Sequence, residues 1–447
     1  MPVQNYIKLF RENRRLLESG SSAVLNGRRD VALENLEKYG LPSNSMEEYL
    51  HSNVSEWFEP DWGINLGRID IPTSSAAAFR CNVPNLNARS YFMLNDIFEA
   101  ERSPDRTTLQ EGIIAGSLRE ISLERPDIIE RYYDTISDTN KAGAAAINTL
   151  FAQDGFVLYI SDNVTVEKPI QLVSLLSSPV DLMVNRRVLI IVGTNVRVKL
   201  LLCDHAISPA AFLTTQVVEL FAGQGSNIEL YDLEETHAAG FRFNELYLKQ
   251  DSYTDVTVNL ITLHNGKTRN SVYATLEGGG ASLSLNGVAI TDKSQHVDNF
   301  TFVDHRVPNC TSSELFNYVL DQQSVGVFAG KVLVRPGAQH TVSQQKNRNI
   351  CLTRQSRVFT QPQLEIYADD VKCSHGATVG RLDENALFYM RQRGIPEQEA
   401  RMLLLIAFVN EVIDLVELEP FRNRLKRLVE KRFRGELSQC EGCRVCR

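Results

Sequence analysis

The chain has 447 residues, 43% of them hydrophobic and 23% charged, which is enough to bury a full core over two or three domains and too apolar for wholesale disorder. A formal net charge of -8 argues against nucleic acid as the main partner, because phosphate binding needs a concentrated cationic face. No window approaches about 18 uncharged apolar residues, so no transmembrane helix and no membrane partner is expected. Residues 1–17 scatter Ile7, Leu9, Phe10, Leu16 and Leu17 among Lys8, Arg11, Glu12, Arg14 and Arg15, unlike a signal peptide, so a cytoplasmic location with eight reduced cysteines is expected.

The N-terminal region, 1–90, opens with helical patterning. Over 31–39, Ala32, Leu33, Leu36 and Tyr39 fall on one stripe, and Gly40, Leu41 and Pro42 supply the stop. Residues 91–154 read as a mixed helical linker, with helices expected over 127–136 and 141–152 and a surface link over 101–107.

From 155 the period changes. Short apolar segments at 196–200, 228–231, 256–260, 283–286 and 315–319 mostly alternate, and each follows a turn cluster rich in Gly, Asn, Asp, Ser or Thr. They recur every 27 to 32 residues, roughly, the range of a solenoid or propeller, and too short for the about 40 residues of a four-stranded blade. The core, 155–382, is therefore expected to be a right-handed parallel β-helix, with helical domains at both ends.

After 383 the helical period returns. Asp383 is expected to cap a helix ending at Arg393, Gly394 and Ile395 to stop it, and Pro396 with Glu397 and Glu399 to open the next. Residues 402–409 are apolar nearly all round and need cover on more than one face. Beyond Pro420, the residues Phe421, Leu425, Leu428 and Val429 form a narrower stripe. These helices, in a C-terminal domain 383–436, pack on one another or bind a partner. The basic run of Arg422, Arg424, Lys426, Arg427, Lys431, Arg432 and Arg434 reads as a solvated helix face or a surface for an acidic partner.

Chemistry concentrates in 362–381. Asp369, Asp370, Cys373 and His375 lie within a few residues of one another, and strand alternation puts Cys373 and His375 on one side, as two ligands of one soft or borderline metal require. Carboxylates at a strand end also close turns, and two ligands fall short of the about four that a closed site needs. The tail, 437–447, carries Cys440, Cys443 and Cys446 in a C-x2-C-x2-C spacing, which fits either three cluster ligands or a mobile tail without a fourth cysteine. His305 and Cys310 read as a buried pair, and Cys81, Cys203 and Cys351 as core. Gly326, Gly330 and Lys331 miss the phosphate-binding loop by one residue, and Val332 replaces its hydroxyl side chain, so no bound nucleotide and no ATPase activity is expected.

The run 362–381 resembles the signature of the SufB/SufD family of iron-sulfur cluster assembly scaffolds. Segments 148–155, 166–170, 305–310, 327–330, 337–341 with Gln344 and Gln345, and 387–395 are similar to the family's in the same order, covering most of 146–411. Where the SufB branch has a cysteine and a glutamate, this chain has Ser356 and Gly376, neither a soft-metal ligand, so the resemblance is to the SufD branch. It implies a non-catalytic scaffold subunit that pairs with a SufB-like homologue, or with itself when alone, and recruits a SufC-like ATPase through its C-terminal helices. It further implies a transient iron or iron-sulfur cluster at the subunit interface, with Cys373 and His375 as ligands that the partner completes. A carrier acting through the cysteine tail is the alternative, and a β-helix polysaccharide-active enzyme using Asp369 and Asp370 with calcium is a more distant one.

Overall fold

The structure is a computed structural model that describes residues 2–69, 71, 83, 85–104 and 110–436. Its centre is a parallel β-helix in which consecutive strands alternate between two ten-stranded sheets. The recurring segments of the sequence all fall in one of these, the second sheet, whose strands include Arg197–Ala206, Asn227–Glu235, Asp255–His264, Ser282–Thr291 and Thr311–Leu320. These pair in parallel and in register, so Ile228 stacks on Val256, and Val256 on Leu283. The first sheet interleaves Leu182–Val192, Phe212–Ala222, Gly240–Gln250, Lys267–Leu276, His296–His305 and Val325–Val334. The sheets start N-terminal of 155, because Arg89–Leu94 joins the second sheet and Ile113–Ser117 the first.

Alternation sets which side chains fill the space between the sheets. Val198, Leu200, Val218, Leu220, Leu246, Val256 and Val258 do so and form the main apolar cluster. The opposite face of the first sheet is covered by the N-terminal helices Pro2–Ser19, Arg29–Tyr39 and Ala144–Phe151, which contribute Phe10, Leu36 and Phe151 against Met183, Leu213 and Phe243. Gly40 ends Arg29–Tyr39 at φ +68, as its sequence requires. The helix expected over 127–136 stops at Tyr132. There the backbone turns so that four N–H groups, from Asp134 to Ser137, donate to the buried Glu219 carboxylate. A buried anion thus replaces the last helical turn.

The outer face of the second sheet carries the C-terminal helices. Asp383 caps Glu384–Gln392 by accepting from the Asn385 and Ala386 N–H groups at 2.9 and 3.2 Å. Leu405 and Val409 of Glu397–Ile413 and Phe421, Leu425 and Val429 of Glu419–Phe433 pack on Tyr231, Leu233, Ile261 and Val288. The helices therefore lie on the sheet rather than forming a core of their own. Residues 402–409 are covered by the sheet and flanked by the two neighbouring helices, with Leu403 and Ala407 exposed. Most of the basic run is accessible, but Arg424 is buried within 3.3 Å of Glu235.

One turn between the sheets repeats its geometry in six successive coils. Asn195, Gly225, Tyr253, Gly280, Asn309 and His340 all have φ between 51 and 77, a left-handed position that tolerates Asn and favours Gly. Stacked turns also leave little room. A Cβ on Gly278 would sit 1.9 Å from the Ser252 backbone nitrogen, so Gly278→Ala is expected to destabilise by about 3 kcal/mol or more, since two backbones must separate. Urea unfolding of the variant measures this, and a midpoint within error of the parent would show that the coils separate freely.

Candidate functional site at the open end of the β-helix

The last coil consists of Arg357–Ile366 and Lys372–Gly380, each paired on one edge only. No coil follows it. Ile366, Tyr367 and Val379 are 40%, 62% and 55% exposed, so the end of the solenoid presents two unpaired strand edges with apolar side chains.

Cys373 and His375 sit on Lys372–Gly380, in register with Ser343 and Gln345. Cys373 is half-buried against the apolar interior, whereas His375 is exposed. Burial pushes the Cys373 thiol above its ordinary pKa, opposed by a hydrogen bond with the Ser343 backbone. Binding a soft metal there must therefore displace a proton.

The coils behind these residues differ from the rest of the interior. One inward column reads Leu230, Val258, Leu285 and then Glu314, Gln345, His375. Its neighbour reads Ile228, Val256, Leu283 and then Ser312, Ser343, Cys373. The interior turns polar towards the open end. Glu314 Oε2 accepts from Thr301 Oγ1 at 2.6 Å and Oε1 from Gln345 Nε2 at 3.0 Å. His305 Nε2 bonds Ser312 Oγ at 2.9 Å, and Ser312 bonds Ser343 at 2.8 Å.

These buried groups titrate abnormally. Burial lowers His305 to a pKa of about 4, with Asp304 opposing, and raises Glu314 to about 7, with bonds from Thr301 and Gln345 opposing. Because folded Glu314 holds its proton above the unfolded value of 4.5, it costs stability as pH rises from about 4.5 to 7 and continues to do so above 7. Glu314→Gln should remove that slope, so its stability relative to the parent rises by about 3 kcal/mol between pH 5 and pH 8. Parallel unfolding curves at the two pH values test this, and a constant difference would contradict it.

The four groups of 362–381 do not converge on one point. Asp370 is held in the turn, its Oδ2 3.0 Å from His340 Nδ1 and its N–H donating to Gln339 Oε1 at 2.8 Å. Among the described residues no group of three or more His, Cys, Asp and Glu side chains is placed to hold a metal ion. His305 and Cys310 are both buried but bond separately, Cys310 Sγ to the Gly278 and Pro308 carbonyls. Cys203 is buried beneath the C-terminal helices, and Cys351 is half-buried against the interior. Cys81, Cys440, Cys443 and Cys446 lie outside the described residues.

Of the two branch-distinguishing positions, only Ser356 has a local role. Ser356 Oγ donates to the Thr353 carbonyl at 3.0 Å within a turn. A Cβ at Gly376 would meet nothing within 4 Å, so packing does not demand glycine there. Gly326, Gly330 and Lys331 belong to the strand Val325–Val334 rather than to a loop that cradles phosphate. No helix among the described residues is long and apolar enough to cross a membrane.

A parallel β-helix flanked by helices, with a thiol and an imidazole on its last described strand, defines the class of fold as a helix-flanked β-solenoid. The family model for the SufBD core domain, described as SUF-system iron-sulfur cluster assembly, matches residues 175–408, and that for the SufBD N-terminal region matches residues 2–172. The chain belongs to the SufBD family. It is 27% identical over 432 residues to an iron-sulfur cluster assembly SufBD family protein of Synechocystis, covering 93% of each chain. It is 34% identical over 199 residues to the iron-sulfur cluster assembly protein SufD of Escherichia coli, covering 44% of this chain and 46% of that one. With SufD of Bacillus subtilis the identity is 23% over 446 residues, covering 96% and 98%.

Proposed function

We propose that the chain is a non-catalytic scaffold subunit of a SufBCD-type assembly, joined through its open coil to a SufB-like homologue. The single observation that carries this is the pair of long, unpaired strand edges at the end of the β-helix, where Ile366, Tyr367 and Val379 are exposed. Edges of this kind are a ready template for pairing with another chain. A homologue with the same solenoid end supplies matching strands, and the family resemblance supports a SufB-like one.

Iron or a nascent cluster is the cargo. Cys373 and His375 supply two ligands on this side of the interface, and the partner supplies the remainder, which accounts for the half-set on this chain. The C-terminal helices display Phe388, Tyr389, Leu403 and Leu415 at 39–63% exposure, apolar area suited to docking a SufC-like ATPase. ATP hydrolysis then belongs to that subunit.

Light scattering after size exclusion tests the assembly. The expected result is one species with the summed mass of the chain and its SufB-like homologue, larger again with the ATPase. A monomer at micromolar concentration, both alone and in the mixture, overturns the proposal.

A further inference from the structure

We propose that Gln345 is the positioning residue for His375, its side-chain carbonyl accepting the imidazole N–H when the metal site is assembled; this rests on the ligand role proposed for His375. Gln345 is fully buried in the coil immediately behind His375 and directly in register with it, at the usual strand spacing of about 4.8 Å. Its Nε2 donates to Glu314 Oε1 at 3.0 Å. Above its raised pKa Glu314 is ionised and only accepts, so the amide nitrogen faces it and the carbonyl oxygen is the free end.

That oxygen, Gln345 Oε1, is buried and has no hydrogen-bond partner. Leaving a buried acceptor unsatisfied costs about 1–3 kcal/mol, and the next side chain in its column is the His375 imidazole. Accepting one ring N–H fixes the tautomer and leaves the other nitrogen, unprotonated, for the metal.

The surrounding residues hold the amide in this orientation. Glu314 is itself anchored by Thr301 at 2.6 Å. On the facing sheet, a Cβ at Gly330 would lie 2.2 Å from Gln345 Nε2 and 2.8 Å from Thr301 Oγ1, so the glycine leaves the space that the amide occupies. Thr301, Glu314 and Gln345 thus form a buried chain of hydrogen bonds that ends one coil behind His375.

The test measures ferrous iron bound at equilibrium, anaerobically, to the full chain co-purified with its SufB-like homologue and the ATPase. Gln345→Leu is expected to weaken iron binding about 10- to 100-fold. The exchange Glu314→Gln with Gln345→Glu keeps an acceptor behind His375 and a donor behind that, and is expected to return binding to near the parent value. If Gln345→Leu does not assemble, Gln345→Met, unbranched and with only a weakly accepting thioether, is read in its place. Parent-like binding in the variant so read, while His375→Ala abolishes it, overturns the positioning role alone. So does an exchange variant as weak as Gln345→Leu, because only packing would then be at stake. Iron binding indifferent to His375→Ala overturns the ligand reading and this inference together.

Discussion

Arg242→Leu should lower the unfolding free energy by about 3–5 kcal/mol at pH 8, the usual cost of stranding a buried charge. Arg242 crosses the space between the sheets, donating to Asp232 at 2.8 Å, Asp204 at 2.9 Å and Asn270 at 2.9 Å. Burial works against ionisation of Asp204, yet Arg186 and Arg242 together hold its pKa below the ordinary value. Burial leaves Asp232 raised and Glu234 at about 7 even with Arg242 opposing. In the parent, the depressed Asp204 contributes stability above its unfolded pKa that is lost as pH falls through the folded one. Without Arg242 the carboxyls are pushed upwards instead, and their cost is relieved as pH falls. The deficit should therefore shrink between pH 8 and pH 5. A deficit of equal size at both pH values, read from urea midpoints with unchanged slope, would assign the effect to lost volume instead.

The second large effect concerns the open end. Ile366→Lys combined with Val379→Lys places cations on both free edges of the last coil. Both residues are already exposed in the single chain, at 40% and 55%, so its unfolding midpoint should move by no more than the equivalent of about 0.5 kcal/mol. The hetero-oligomer should weaken by at least about 2 kcal/mol, or roughly 30-fold, because desolvated apolar contacts become unpaired charges. Parent-like assembly of the double variant would place the partner elsewhere.

Much of the architecture was legible because one strand per coil obeys a simple period. In the second sheet, Val256, Val258 and Leu260 face the interior, and the segments recur with each coil. The intervening strand was not legible in this way. Leu182–Val192 is buried throughout, covered on both faces, so its sequence runs apolar instead of alternating, apart from Asn185, Arg186 and Arg187. Those charges are held by distant residues: Arg187 by Asp134 and Glu219 at 2.8 and 2.7 Å, and Arg186 by Asp204. Local spacing does not announce pairs so far apart. The need of 402–409 for cover on more than one face was legible, but not that the sheet and both neighbouring helices provide it, since hydrophobicity around a helix says how much surface wants cover and not which neighbour gives it.

At the site, alternation placed Cys373 and His375 on one side of a strand. It did not separate them in depth, because depth depends on the coil behind and on the absence of one in front. Ser312, Glu314, Ser343 and Gln345 were the missed signal. Placed beside the aliphatic Leu283 and Leu285 at the same strand positions, they mark where the interior turns polar. Finding them needs the register between coils, which the looseness of the 27- to 32-residue repeat conceals.

The central claim is that His375, with Cys373, forms one half of an iron site closed by a partner subunit. Its most direct test is the ferrous iron content of the anaerobically reconstituted complex, compared between the parent and His375→Ala after both are shown by light scattering to have the same subunit composition. His375 is exposed on the last strand and packs no core, so the variant should assemble normally and bind little or no iron at the interface. Iron loading equal to that of the parent in an intact complex would contradict the claim.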